Sequence, residues 1–224
     1  MPRRVAVIPT ILVALISTVV GVAEAKKPKY IESHFLTLDP ADQSPVTKNG
    51  VTIAVDPGAS TADPKYFIEY ISPTQKDWLG NPVKKRDNMF AGLIVIEVAI
   101  TNNTGHVLRT NGAAVSLTPG DGGEPVQPFT LVALNQAWAQ AGVAGLDAYM
   151  KTNKIRLVTL ESDVILPGQT LKGLMPFQAK IEGIKSCTLS MLDLVTQTDA
   201  AGNPTERTTF TFNMKENVTQ IEQK

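Results

Sequence analysis

Short runs in which apolar and polar side chains alternate, each closed by glycine, proline, asparagine or aspartate, recur from Tyr30 to Met214. Successive side chains on a strand point to opposite faces, so this period of two selects strands over long helices. "GVTIAV" puts Val51, Ile53 and Val55 on one face, between the turn residues Asn49-Gly50 and Asp56-Pro57-Gly58. "KYFIEYI" sets Phe67 and Ile71 against Tyr66, Ile68 and Tyr70. In "TERTTFTFNM", Phe210, Phe212 and Met214 alternate with polar residues, giving one core face and one wet face. "YIESHFLTL", "AAVSLT", "PVQPFT", "KIRLVTL", "QTLKGLMPF" and "KSCTLSMLDLVTQ" supply further strands, the last joined to the final strand by the hairpin loop "TDAAGNP". The expected fold class is all-β: a single antiparallel β-sandwich from about Tyr30 to Lys215 with frayed ends, and with no evident internal repeat.

Two segments break the alternation. From Leu93 to Ile100 nearly every residue is apolar, which predicts a central strand covered on both sides, with Glu97 on its more solvated face. Between Leu131 and Asn153, Leu134, Trp138, Ala141, Gly145 and Ala148 or Tyr149 recur at helical spacing. Glycine disfavours a helix interior, so Gly142 and Gly145 predict one kinked helix or two short ones broken between Ala141 and Gly145. Such a helical insertion near 131–153 would either plug an open end of the sandwich or present a groove to a partner.

The first 25 residues carry Arg3 and Arg4, an apolar run from Val5 to Val22, and "AEA" at Ala23 to Ala25. This is the layout of a secretory signal peptide cleaved after Ala25, leaving residues 26–224 as the mature domain. An uncleaved anchor is the competing reading, because the run is about long enough to span a bilayer. The expected location is the periplasm or the medium, with no stable membrane insertion once the signal is removed. Cys187 is the only cysteine, so no internal disulfide can hold an exported fold that must rest on its core. Removing Arg3, Arg4 and Glu24 from the 21 basic and 21 acidic residues leaves a formal charge of about −1, which gives no electrostatic case for nucleic acid.

The layout "FAGLIVIEVAITNNTG", then "VSLTPGDGG", then "ILPGQTLKGLMPFQ" with Pro167, Gly168, Gly173 and Phe177, resembles that of secreted bacterial immunoglobulin-like accessory sandwiches over roughly Val51 to Met214. The resemblance implies an immunoglobulin-like antiparallel β-sandwich with a binding, adhesive or assembly role, and it carries over no ligand. Two features depart from it: the long segment from Lys65 to Met89 and the helical segment from Leu131.

No catalytic constellation stands out, and the chain is expected to be non-enzymatic, without cofactor or metal. His106 sits among Asn102, Asn103, Thr104 and Gly105, residues suited to a tight reversal, and its only fellow histidine is His34. Asp121 to Glu124, "DGGE", lacks the regular acidic spacing of a calcium loop. Cys187 shares an apolar strand face with Leu189 and Met191, which fits a core residue better than a nucleophile. Asn102-Asn103-Thr104 and Asn217-Val218-Thr219 match the glycosylation acceptor pattern.

The positive candidates are binding residues. "DWLGNPVKKRD", Asp77 to Asp87, places Trp78 and Leu79 beside Lys84, Lys85 and Arg86 in a turn-rich loop. Aromatic and arginine side chains concentrate at contact surfaces; the alternative is that Trp78 caps the core above a merely solvated basic run. Trp138 and Tyr149 on the helical segment are the second candidates. The expected function is an exported envelope protein that binds or assembles with a protein or envelope component. A small-ligand or carbohydrate module using the tryptophans as stacking platforms is the alternative, weakened by an aromatic content of 6%. A hydrolase would require His34 and His106 to converge with a carboxylate or serine.

Overall fold

The computed structural model describes residues 29–58, 63–110, 113–160, 163–179 and 184–223; the signal segment of the sequence reading lies outside them. The chain is mainly β. Its strands are β1 (Lys29–Leu38), β2 (Val46–Lys48), β3 (Val51–Asp56), β4 (Phe67–Lys76), β5 (Pro82–Asn88), β6 (Ile94–Asn102), β7 (Leu108–Arg109) and β8 (Ala114–Pro119). Two helices follow, α1 (Leu131–Gln140) and α2 (Leu146–Thr152), and then β9 (Val164–Ile165), β10 (Thr170–Phe177), β11 (Ser186–Thr198) and β12 (Pro204–Gln223). They form two four-stranded antiparallel sheets, ordered β1-β12-β11-β8 and β10-β6-β3-β2, together with the two-stranded pairs β4-β5 and β7-β9.

One apolar cluster draws on both four-stranded sheets. Val51, Ile53 and Val55 of β3 and Ile94, Ile96, Val98 and Ile100 of β6 meet Leu189 and Met191 of β11 and Phe210, Phe212 and Met214 of β12. The alternation in β12 has the expected consequence: its apolar residues are buried, and Thr209, Thr211 and Asn213 between them are exposed. The apolar run of β6 lies between β10 and β3, as a strand covered on both faces should. Its second face supplies Val95 to a separate cluster, while Glu97 on that face is half-buried and pairs with Lys172 of β10 at 2.7 Å.

That second cluster is where the helices go. Leu134, Leu146 and Met150 pack with Val95, with Leu174 of β10, and with Tyr66 and Ile68 at the base of β4. Val95 and Leu174 alternate with Ile94, Ile96 and Met175 of the first cluster, so the helices cover the opposite side of the β6–β10 pair and do not plug an open end. Thr130 caps α1 by accepting a hydrogen bond from Ala133 N–H at 3.1 Å. Gly142 and Gly145, at φ of 91° and 75°, make the break between the helices in the backbone region that glycine favours.

Four expectations require correction. "KIRLVTL" is no strand: Leu157 alone bridges Leu174, in parallel. "PVQPFT" likewise forms no strand and contributes only two isolated antiparallel bridges, Val126 to Leu117 and Pro128 to Phe177. The final strand does not fray at Lys215 but continues to Gln223, pairing with β1 from Leu38↔Met214 to Lys29↔Gln223. Asp77 to Asp87 is not a loop: it comprises the tip and second strand of the β4–β5 hairpin.

Candidate functional site

The β4–β5 hairpin is built by alternation. Ile68 and Ser72 face inward and are buried, whereas Glu69 and Ile71 face outward, Ile71 being 64% exposed. The ladder runs from Phe67↔Asn88 through Ile71↔Lys84 to Lys76↔Pro82. At the tip, Asp77 N–H donates to Asn81 O at 2.9 Å and Gly80 N–H donates to Asp77 O at 3.0 Å. The Asp77 carboxylate accepts from Asn81 N–H at 2.8 Å, from Leu79 N–H at 2.9 Å and from the Asn81 side-chain amide at 3.1 Å. These donors, the Asn81 N–H foremost, hold the Asp77 carboxyl below its ordinary value. Gly80, at φ 84°, completes the turn. Trp78 and Leu79 ride on this frame at 91% and 63% exposure. Trp78 is therefore no cap on the core.

A second hairpin shows what the frame requires. Thr196 to Pro204, "TQTDAAGNP", joins β11 to β12 and matches Thr74 to Pro82, "TQKDWLGNP", at six of nine positions. The backbone repeats the same bonds: Asp199 N–H to Asn203 O at 2.9 Å and Gly202 N–H to Asp199 O at 3.0 Å. Asn203 donates its N–H and side-chain amide to the Asp199 carboxylate at 2.8 and 3.0 Å. Gly202 stands at φ 86°, and Thr198 pairs with Pro204 as Lys76 pairs with Pro82. The turn thus depends on Asp, Gly and Asn, while the positions of Trp78 and Leu79 are filled elsewhere by Ala200 and Ala201.

Strand alternation divides the basic run. Lys84 and Arg86 lie on the outward face, Lys84 against Glu69 at 2.5 Å and the Arg86 guanidinium 5.2 Å from the centre of the Phe67 ring. Lys85, opposite Tyr70 in the ladder, belongs to the other face and is half-buried. On that face the Tyr70 hydroxyl donates to Asp87 at 2.6 Å.

Trp138 and Tyr149 use their polar groups inside the molecule. Trp138 Nε1–H donates to Met89 O at 3.1 Å, and its ring stands edge-on to Tyr70 at 5.9 Å. The Tyr149 hydroxyl lies 3.1 Å from Lys65 O and 3.0 Å from Phe67 O. Both residues are half-buried, and they fasten α1 and α2 to the base of the hairpin. Beside Trp138 a groove of about 420 Å³ is walled by Tyr70, Met89, Phe129 and Leu134, with Asp87 at its edge.

The remaining candidates resolve into structure. Asn102, wholly buried, donates to His106 O at 2.7 Å and to Ile165 O at 2.8 Å, and accepts from Thr104 N–H and its hydroxyl at 2.9 and 2.6 Å. The reversal after β6 is organised by this asparagine, and the His106 residue is exposed. The same burial removes Asn102 from reach as a glycosylation acceptor in the folded protein. His34 lies against Glu216 at 2.6 Å, and Asp121 accepts from Gly123 N–H within its turn. No group of three or more His, Cys, Asp or Glu fit to hold a metal occurs among the described residues. Cys187 is buried, and burial pushes its thiol up from 9.0 to about 11, far from the thiolate a nucleophile requires. No helix of the described residues is long and apolar enough to cross a membrane.

Sequence reasoning named Trp78 and Leu79 but not the device that presents them. The signal was the recurrence of D-x-x-G-N-P, which is too short to register as a repeat and acquires meaning only once both copies are seen as hairpin tips. Comparison with protein-family models, curated proteins and solved structures gave no match.

Proposed function

We propose that the protein is an exported, non-enzymatic immunoglobulin-like sandwich that engages an envelope component through the tip of the β4–β5 hairpin. The sandwich reading is supported by the single apolar cluster shared by the two four-stranded sheets. The contact reading rests on one observation: two matching turns hold Trp-Leu in one case and Ala-Ala in the other, so the exposed Trp78 and Leu79 are not demanded by folding. Large exposed apolar side chains without a structural role mark interaction sites.

The reading is tested by placing a photo-crosslinking amino acid at Leu79, and separately at Ala201 as the control, in cells producing the protein. Adducts from position 79 and none from position 201 are the expected result. Equal labelling from both tips would overturn it. A small-ligand module is the second reading, favoured by the aromatic-walled groove beside Trp138, which is of a size that accommodates small molecules.

A further inference from the structure

We infer that the partner of the hairpin tip is the surface of an anionic lipid bilayer. The inference rests on the contact reading and names its occupant. The apolar part of the tip is small and convex, two side chains at the apex of a turn, whereas a stable protein interface needs roughly 800 Å² from each partner. A tryptophan and a leucine on a projecting turn are suited instead to the membrane interface, where an indole places its ring among acyl chains and its N–H among headgroups.

The charges behind the tip fit the same occupant. The β4–β5 hairpin, Phe67 to Asn88, carries four cations, Lys76, Lys84, Lys85 and Arg86, against Glu69, Asp77 and Asp87, a net of +1, with Lys84 paired to Glu69 and the Asp87 carboxylate engaged by the Tyr70 hydroxyl. Asp77 has its carboxylate engaged by Leu79 and Asn81 within the turn. Alternation sends Lys84 and Arg86 to one face of the hairpin and Lys85 to the other. A bilayer into which the tip dips meets the exposed Lys76 at the tip together with Lys84 and Arg86 on the outward face, whereas Lys85 lies half-buried on the face turned towards the molecule. At about 3.3 Å per residue, Lys84 and Arg86 stand roughly 7 and 13 Å behind Pro82 along β5. That places Lys84 near the level of the lipid phosphates, with Arg86 on their water side, when the tip is buried about 5 to 10 Å into the headgroup and acyl boundary.

The test uses the exported protein and its W78A/L79A variant, whose tip becomes D-A-A-G-N like its twin. Each is mixed with vesicles of phosphatidylcholine alone or of equimolar phosphatidylglycerol and phosphatidylethanolamine. The expected result is co-sedimentation with the anionic vesicles, weakening as salt is raised. A blue shift of tryptophan emission, quenched by brominated acyl chains, should accompany binding and be absent from W78A/L79A. The variant should partition at least about tenfold less, and K84A/K85A/R86A should lose about tenfold or more on anionic vesicles with an unchanged melting temperature. Absence of co-sedimentation and blue shift, or equal binding by W78A/L79A, overturns the inference. If vesicles fail while position 79 still crosslinks to an envelope protein, the contact surface stands with a protein as its occupant and the bilayer inference falls. If both fail, the contact reading falls with it.

Discussion

Asn102 shows how much a single side chain can hold. Its amide closes the reversal after β6 by satisfying two backbone carbonyls while accepting from Thr104, all inside a buried site. Replacing it with alanine removes a donor from each of His106 O and Ile165 O, leaving His106 O the Thr104 hydroxyl at 3.0 Å, and takes away the acceptor of Thr104 N–H; Asn102→Ala is expected to cost about 2 to 4 kcal/mol in urea denaturation. His106→Ala, one turn away on the surface, should stay within about 0.5 kcal/mol in the same measurement. Cys187 offers a second residue-scale outcome. Its folded thiol titrates near 11 and its ordinary value is 9.0, so between these the unfolded chain releases a proton that the folded chain retains. Stability from this group is therefore full below pH 9 and is lost as pH rises towards about 11. Denaturation across that window should show a shallower decline for Cys187→Ala than for the unaltered protein.

The elements are fixed by contacts of two ranges. Local chemistry places the hairpin tips and the helix break: Asp, Gly and Asn set both turns, and Thr130, Gly142 and Gly145 bound the helices. Longer-range contact fixes β10, where Gly173 lets the Arg156–Val158 segment lie against the strand. Leu174 N–H donates to Arg156 O at 2.9 Å and Val158 N–H to Leu174 O at 2.9 Å. A Cβ at Gly173 would stand 2.6 Å from Arg156 O, a clash with backbone that no side-chain rotation relieves. Gly173→Ala is expected to destabilise by about 1 to 3 kcal/mol, read by thermal unfolding, with loss of amide protection at Val158 and Leu174. The hairpin tip should respond in the opposite sense. W78A/L79A keeps the Asp77, Gly80 and Asn81 frame, so its melting temperature should move by less than about 2 °C.

At the scale of the whole molecule, two apolar clusters meet back to back across β6, which gives Ile94, Ile96 and Val98 to one and Val95 to the other. That strand was legible in the sequence because a run apolar at every position must be covered on both faces, and the alternation of Phe210, Phe212 and Met214 declared the inner face of β12 as plainly. The helix break at Gly142 and Gly145 was legible for the same local reason. The surface that the helices cover was not, since periodicity identifies an apolar stripe but not its partner. Nor was the pairing of β1 with the end of β12, which joins residues almost the full described chain apart through backbone bonds and side-chain contacts such as His34–Glu216 and Asn217–Thr37 that local sequence does not announce. In the candidate site, Trp78 and Leu79 were visible as residues unexplained by a core, and the splitting of Lys85 from Lys84 and Arg86 followed only once the segment was known to be a strand. The proposed function requires this tip to act outside the fold. Its most direct test is the fraction of protein retained by washed cell envelopes, compared between the unaltered chain and W78A/L79A at matched thermal stability. Retention is expected to fall by about tenfold in the variant. Equal retention of the two proteins would contradict it.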